Sequence, residues 1–159
     1  MKFGVEKIIS GHQHGADCGA IDMAMKHHIP HMGYVPKGRR TEDGPLDEKY
    51  THVIETKSAA YPERTEMNVR TGSVTVVFSK NMGRGSRLTA DLCEKFHKPW
   101  IQLEAFPNVE ADAAKLKAFL ESQSKAPKII NVAGSRESKS PGMHDHVIKV
   151  LEAVMLDGQ

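Results

Sequence analysis

The chain has 159 residues, 39% apolar and 26% charged, and its 22 basic and 20 acidic residues leave a formal net charge of +2. That length suits one core and is short for two, so residues 1–159 are read as a single domain, and the composition excludes a disordered chain. The near balance of charge excludes a general field for nucleic acid or an anionic membrane, so any anion site must be local.

Cys18 and Cys93 suit the reduced thiols of a cytosolic protein, although the sequence alone leaves a disulfide open. The longest apolar stretch, Val74 to Phe78, is far short of the ~20 residues that cross a bilayer. Lys2, Glu6 and Lys7 bracket an N-terminal segment too short and too charged for the apolar region of a signal peptide. The expectation is an unexported, cytoplasmic protein.

In chain order, Lys7 to Ser10 is a β-like run that stops at Gly11, and Ala16, Ala20, Ile21 and Ala24 then recur at helical spacing up to Lys26. Met32 to Val35 forms a second run. The polar segment from Pro36 to Lys49 reads as a long loop with a turn at Asp43-Gly44-Pro45. Thr51 to Thr56 alternates weakly as a strand, and Pro62 with Glu63 suits the first turn of a helix reaching about Arg70. Ser73 to Ser79 is the clearest strand, followed by a Gly-containing turn and a helix carrying Leu88, Leu92, Cys93 and Phe96 on one stripe. Trp100 to Leu103 is another strand, Val109, Ala113, Leu116 and Leu120 mark a helix, Lys128 to Ala133 the last strand, and Val147, Leu151 and Val154 the C-terminal helix. Strands alternating with helices predict right-handed crossovers and an α/β, Rossmann-like three-layer sandwich with a mainly parallel sheet of five or six strands.

Three strand ends break into small or polar residues before a helix: Ser10 to Asp17, Ser79 to Thr89 and Ala133 to Lys139. Ligands of open α/β sheets bind outside the carboxyl ends of the strands, so these loops can share one crevice. Glycine at Gly11, Gly15, Gly83 and Gly85 lets backbone N–H groups approach an anion, and each following helix presents its positive end. Plain tight turns also use glycine, so the three loops count together rather than singly. Arg39, Arg40, Arg64, Arg70, Arg84, Arg87 and Arg136 can supply bidentate contacts to phosphate or carboxylate. Position favours Arg136; Arg39 and Arg40 also read as a solvated pair, and Arg64 as a surface or salt-bridging residue. His12, His14, His144 and His146 invite a metal reading, but no third strong ligand is fixed by spacing, and loop histidines bonded to ligand or solvent are preferred. No metal ligand is assigned.

With these residues in view the chain resembles the "putative molybdenum carrier" family, a branch of the Rossmann-like superfamily that also holds lysine-decarboxylase-like phosphoribohydrolases. The marks are Ser10-Gly11-x-Gln13-x-Gly15-Ala16-Asp17 with Ala20 and Asp22; Pro36-Lys37-Gly38-Arg39-Arg40-x-Glu42-Asp43-Gly44-Pro45; Glu63-Arg64-Thr65-Glu66-x-Asn68-Val69; Gly85-Ser86-x-x-Thr89; and Asn131-Val132-Ala133-Gly134-x-Arg136-Glu137-Ser138-Lys139. The resemblance implies binding of molybdenum cofactor, a phosphorylated pterin, or of a nucleotide. Family members carry Gly and Thr at the positions of His12 and His14, where two imidazoles would narrow the loop, and proline at Ser135. The related hydrolases end their P-G-G-x-G-T-x-x-E motif on a catalytic glutamate; here Gly83, Arg84, Gly85 and Ser86 match the cradle, and Thr89 takes the glutamate's place.

The expected function is therefore a carrier for a phosphorylated small molecule, with no catalytic residue assigned. Its site is placed on Gly11, Gln13, Gly15, Asp17, Arg64, Gly83, Gly85, Ser86, Thr89, Gly134 and Arg136. Two alternatives stand: a nucleotide N-glycosidic hydrolase using Glu66 or Asp17, and a nucleotide-sensing regulatory module. By analogy with Rossmann-like relatives a homo-oligomer is expected, and neither a membrane nor a nucleic acid is an expected partner.

Overall fold

The computed structural model describes residues 1–157. After a 3-10 turn at Lys2–Gly4, the chain runs β1 (Lys7–Ser10), α1 (Ala16–Lys26), β2 (His31–Val35), β3 (Arg40–Thr41), β4 (Gly44–Pro45) and β5 (Val53–Glu55). It continues through α2 (Tyr61–Thr71), β6 (Val74–Phe78), α3 (Arg84–Lys95), β7 (Trp100–Leu103), α4 (Val109–Glu121), β8 (Ile129–Gly134) and α5 (Met143–Met155). Six strands form one sheet in the order β5-β2-β1-β8-β6-β7, and every pairing in it is parallel.

A parallel strand covered on both faces should read as a continuous apolar run, and β6 does: all five of its residues are buried. Helices α1 and α4 both pack on α5, while α2 packs on α3, giving the two outer layers of the sandwich. The main core joins Ile8, Phe78, Ile130 and Val132 of the sheet to Met23, Leu116, Val147 and Leu151 of α1, α4 and α5. Helix starts follow from local chemistry. Asn108 caps α4 by accepting from the Ala111 N–H at 3.0 Å, and Glu137 caps α5 by accepting from the Gly142 and His144 N–H groups.

The segment expected as a plain loop contains a two-residue hairpin, β3 with β4. Thr41 Oγ1 donates to the Gly44 carbonyl at 2.6 Å and accepts from the Asp43 N–H, and Gly44 takes φ +103°. A strand that short has no periodicity to reveal it. Cys18 and Cys93 are both free and buried, which closes the disulfide question for these two thiols. Among the described residues no helix is long and apolar enough to cross a membrane.

Candidate functional site

Strands β1, β8 and β6 are neighbours in the sheet, so the three loops leave strand ends that lie side by side. The first and third loops are also tied to each other. The Ala16 N–H donates to the Ser135 carbonyl, the Glu137 N–H donates to the His14 carbonyl, and Gly15 forms an isolated antiparallel bridge with Arg136. Ser135 reaches the β6 end through its N–H, which donates to the Phe78 carbonyl at 2.9 Å.

Three guanidinium groups gather over this edge around one aromatic ring. The Cζ atoms of Arg40, Arg136 and Arg64 lie 4.7, 4.9 and 5.3 Å from the centroid of Tyr61, on the first turn of α2. Their counter-charges are fewer: Asp17 sits 3.8 Å from Arg64, and Glu42 sits 3.3 Å from Arg136. Among the described residues the Arg40 side chain donates only to the Ala59 carbonyl. Burial pushes the Asp17 carboxyl up against the pull of Arg64, and burial pushes the Arg64 guanidinium down against the pull of Asp17, with Arg136 adding repulsion. Arg64 Nε is buried with no hydrogen-bond partner among the described residues.

The expected site residues divide into three groups. Asp17, Arg64 and Arg136 come together as described, and Gln13 joins them: its N–H donates to Asp17 and its Nε2 donates to the Arg40 carbonyl. Gly11, Gly15 and Gly134 are used by the chain itself. A Cβ at Gly11 would collide with the Arg64 guanidinium, one at Gly15 would lie 2.5 Å from both the Ser135 carbonyl and the Glu137 nitrogen, and one at Gly134 would collide with the Phe78 carbonyl. Gly83, Gly85 and Ser86 form the N-terminal turn of α3, where a Cβ at either glycine would meet nothing within 4 Å. Thr89 is buried one turn on, and its hydroxyl is taken up by the Gly85 carbonyl of its own helix, to which it donates at 3.1 Å.

His12 does not behave as a ligand-facing loop histidine. It is 1% exposed, takes φ +57°, hydrogen-bonds the Ser10 carbonyl through Nδ1 and stands edge-on to Tyr50, so its ring is packed in the interior. Gly33 makes the room, since a Cβ there would lie 2.7 Å from the imidazole. Burial pushes its pKa down to about 4. His14 is partly exposed and pairs with Asp43 at 2.8 Å, and His146 is buried against Asp112 at 2.7 Å. Glu66, the other candidate carboxylate, forms an i,i+4 pair with Arg70 at 3.6 Å on the surface of α2. Tyr61 and Glu42 escape sequence reasoning: Glu42 stands inside a family motif with no chemistry attached to it, and Tyr61 carries no signal beyond preceding a helix-starting proline.

On the α1 and α5 side of the Gly15–Arg136 bridge lies a cleft of about 330 Å³, lined by His14, Cys18, Asp22, Tyr50, His144 and Asp145 among others. Asp22 accepts from the Tyr50 hydroxyl at 2.7 Å and pairs with His144 at 2.7 Å, while the second His144 nitrogen faces Asp145 at 3.0 Å. Burial works against the His144 charge, but the bonds to the two carboxylates outweigh it and hold its pKa up. Burial pushes the Cys18 thiol up to about 12, away from nucleophilic chemistry. Among the described residues no group of three or more His, Cys, Asp or Glu is arranged to hold a metal ion.

A parallel six-stranded sandwich with its polar loops and arginines at adjacent strand ends defines a Rossmann-like α/β fold. Residues 8–155 match the circularly permutated YpsA SLOG family, and the chain belongs to it. The chain is similar to a solved protein from Syntrophus aciditrophicus SB described as "Putative molybdenum carrier protein", at 35% identity over 96% of each chain and a TM-score of 0.88. Among curated proteins none matches.

Proposed function

We propose that the chain binds a phosphorylated small molecule, a phosphorylated pterin such as molybdenum cofactor or a nucleotide, at the ends of β1, β8 and β6, and acts as its carrier. The observation that carries this reading is the gathering of Arg40, Arg64 and Arg136 around Tyr61 with, among the described residues, only Asp17 and Glu42 against them. Like charges held together in a partly dry site repel, and a phosphate relieves that repulsion while offering acceptors for planar guanidinium forks. The buried Arg64 Nε, which has no hydrogen-bond partner among the described residues, suits such an acceptor. The name of the Syntrophus protein supports a carrier role, and the exposed first turn of α3 adds backbone N–H groups at a helix end.

A hydrolase is the weaker reading. Cleavage at a ribosyl centre needs a positioned carboxylate, worth about 10²–10⁴ in rate. Thr89 bonds its own helix, Glu66 is paired on the surface, and Asp17 is buried against Arg64. Calorimetry with AMP and with a phosphorylated pterin is expected to show binding of at least one, weakened by about 1.5–3 kcal/mol in Arg136→Ala with the fold retained. The same protein is expected to release no free base from AMP above background. Multiple-turnover base release abolished by Asp17→Asn would replace the carrier by an enzyme, and unchanged affinity in the Arg136 variant would remove that residue from the site.

A further inference from the structure

The β3–β4 hairpin carries two residues of opposite charge to the strand-end site, Arg40 and Glu42. Arg40 adds a guanidinium to the Tyr61 cluster. Glu42 does the reverse: its Oε2 lies 3.3 Å from Arg136 Nη1, and its Oε1 accepts from the Ser138 hydroxyl at 2.8 Å. One carboxylate thus occupies a guanidinium and a hydroxyl of the same β8 loop with its two oxygens, the contacts an oxyanion of a ligand would make. The pair is partly solvated, with side-chain exposures of 31% for Arg136 and 25% for Glu42, so exchanging one anion for another at Arg136 is cheap compared with breaking a buried pair.

The hairpin does not depend on that contact. Gln13 Nε2 donates to the Arg40 carbonyl, His14 pairs with Asp43, and Arg39 donates to the Asp47 and Tyr50 carbonyls. Among the described residues, Arg64 has the buried Asp17, Arg40 has no carboxylate within salt-bridge distance, and Arg136 has Glu42. Removing Glu42 from Arg136 therefore leaves two guanidiniums without a carboxylate partner, which matches the double charge of a terminal phosphate monoester.

We propose that Glu42 is an internal stand-in for the phosphate of the ligand: in the free protein it neutralises Arg136 and accepts the Ser138 hydroxyl, and it is displaced when a phosphate monoester binds. The proposal rests on the phosphate-binding reading above and assigns Glu42 the role of setting the affinity of that site. Because Glu42 competes with ligand, its loss should strengthen binding, whereas loss of a residue that contacts ligand or merely orders the loop would weaken it.

The test is an NMR titration of the folded chain with methyl phosphate at pH 8, where it is a dianion, comparing wild type, Glu42→Gln and Arg40→Ala, with thermal melts to confirm folding. The expected result is about threefold to tenfold tighter binding in Glu42→Gln and weaker binding in Arg40→Ala. In the wild type, amide signals of residues 40–45 are expected to shift toward their Glu42→Gln positions on saturation. Wild-type binding with unchanged or weaker affinity in a folded Glu42→Gln would overturn the role of Glu42 and leave the phosphate site standing. Failure of both proteins to bind methyl phosphate would overturn both readings.

Discussion

Two sets of glycines end strands or begin helices at the same edge of the sheet, and they serve opposite purposes. Gly15 and Gly134 take φ +121° and +151°, and a side chain at either would run into backbone of a neighbouring strand end. Gly83 and Gly85 have neither constraint: Gly83 is extended at φ −80°, Gly85 lies in helix α3, and a Cβ at either meets nothing within 4 Å. The first set lets the β1 and β8 loops lie against each other and so fixes Arg136 and Asp17. The second leaves a bare helix end accessible from solvent. A glycine-rich loop in a sequence is thus two different signals, one about how the chain packs on itself and one about what can approach it.

The contrast between the two sets is greatest at Gly15. Gly15→Ala places a methyl 2.5 Å from two backbone atoms at a φ that L-residues rarely adopt, so backbone must move and the Gly15–Arg136 bridge is lost. The expected destabilisation is about 3 kcal/mol or more, the sum of overpacking and left-handed strain. Urea unfolding measures it, and a loss below about 1 kcal/mol would show that the two loops are not locked together.

The difference between the two sets is only half legible in the sequence. Strand and helix order can be read because β6 is a β-branched run and α1, α4 and α5 repeat their apolar residues at helical spacing. That order places the three loops at one edge. Which glycines are filled by neighbours is hidden, because the neighbours of Gly15 are residues 135–137 and that of Gly11 is the side chain of residue 64. His12 misleads for the same reason. A histidine flanked by glycine and glutamine looks like loop surface, and the absent side chain at Gly33 that admits its ring lies twenty-one residues away on β2. The guanidinium cluster is legible only as a set of arginines, since the ring that gathers Arg40, Arg64 and Arg136 is a tyrosine with no motif of its own.

Acid should act on the packed β1 loop and spare the open α3 end, because that loop holds a buried titratable group, His12, against Gly33. His12 is held near pKa 4 by burial, while its unfolded value is about 6.5. The folded state then binds fewer protons than the unfolded state between those values, so stability is full above about pH 6.5 and falls as pH drops toward 4. The shift corresponds to a loss on the order of 3 kcal/mol. His12→Asn keeps a residue type that tolerates the left-handed backbone and removes the titration. Urea midpoints from pH 4 to 7 are expected to fall less steeply with acid in the variant; parallel curves for the two proteins would mean that His12 is not the group that protonates.

The smallest effect on the fold is expected at Gly85, where it is paired with an effect on binding. Residue 85 is the second position of α3, exposed, with space for a methyl group. Alanine loses less backbone entropy than glycine on entering a helix, so Gly85→Ala should leave stability unchanged or raise it by up to about 1 kcal/mol. The N–H groups of Arg84, Gly85 and Ser86 have no acceptor one turn back in the helix, which leaves them for an anion. A methyl beside them keeps a phosphate at arm's length while the helix itself is intact. Measured together on AMP or methyl phosphate, the variant is expected to be at least as stable as the wild type and to bind more weakly. Equal affinity would place the anion wholly on the Arg40, Arg64 and Arg136 side and make Gly85 incidental. A drop in stability would show instead that α3 starts against structure not seen around it, and that the two sets of glycines are less different than their geometry implies.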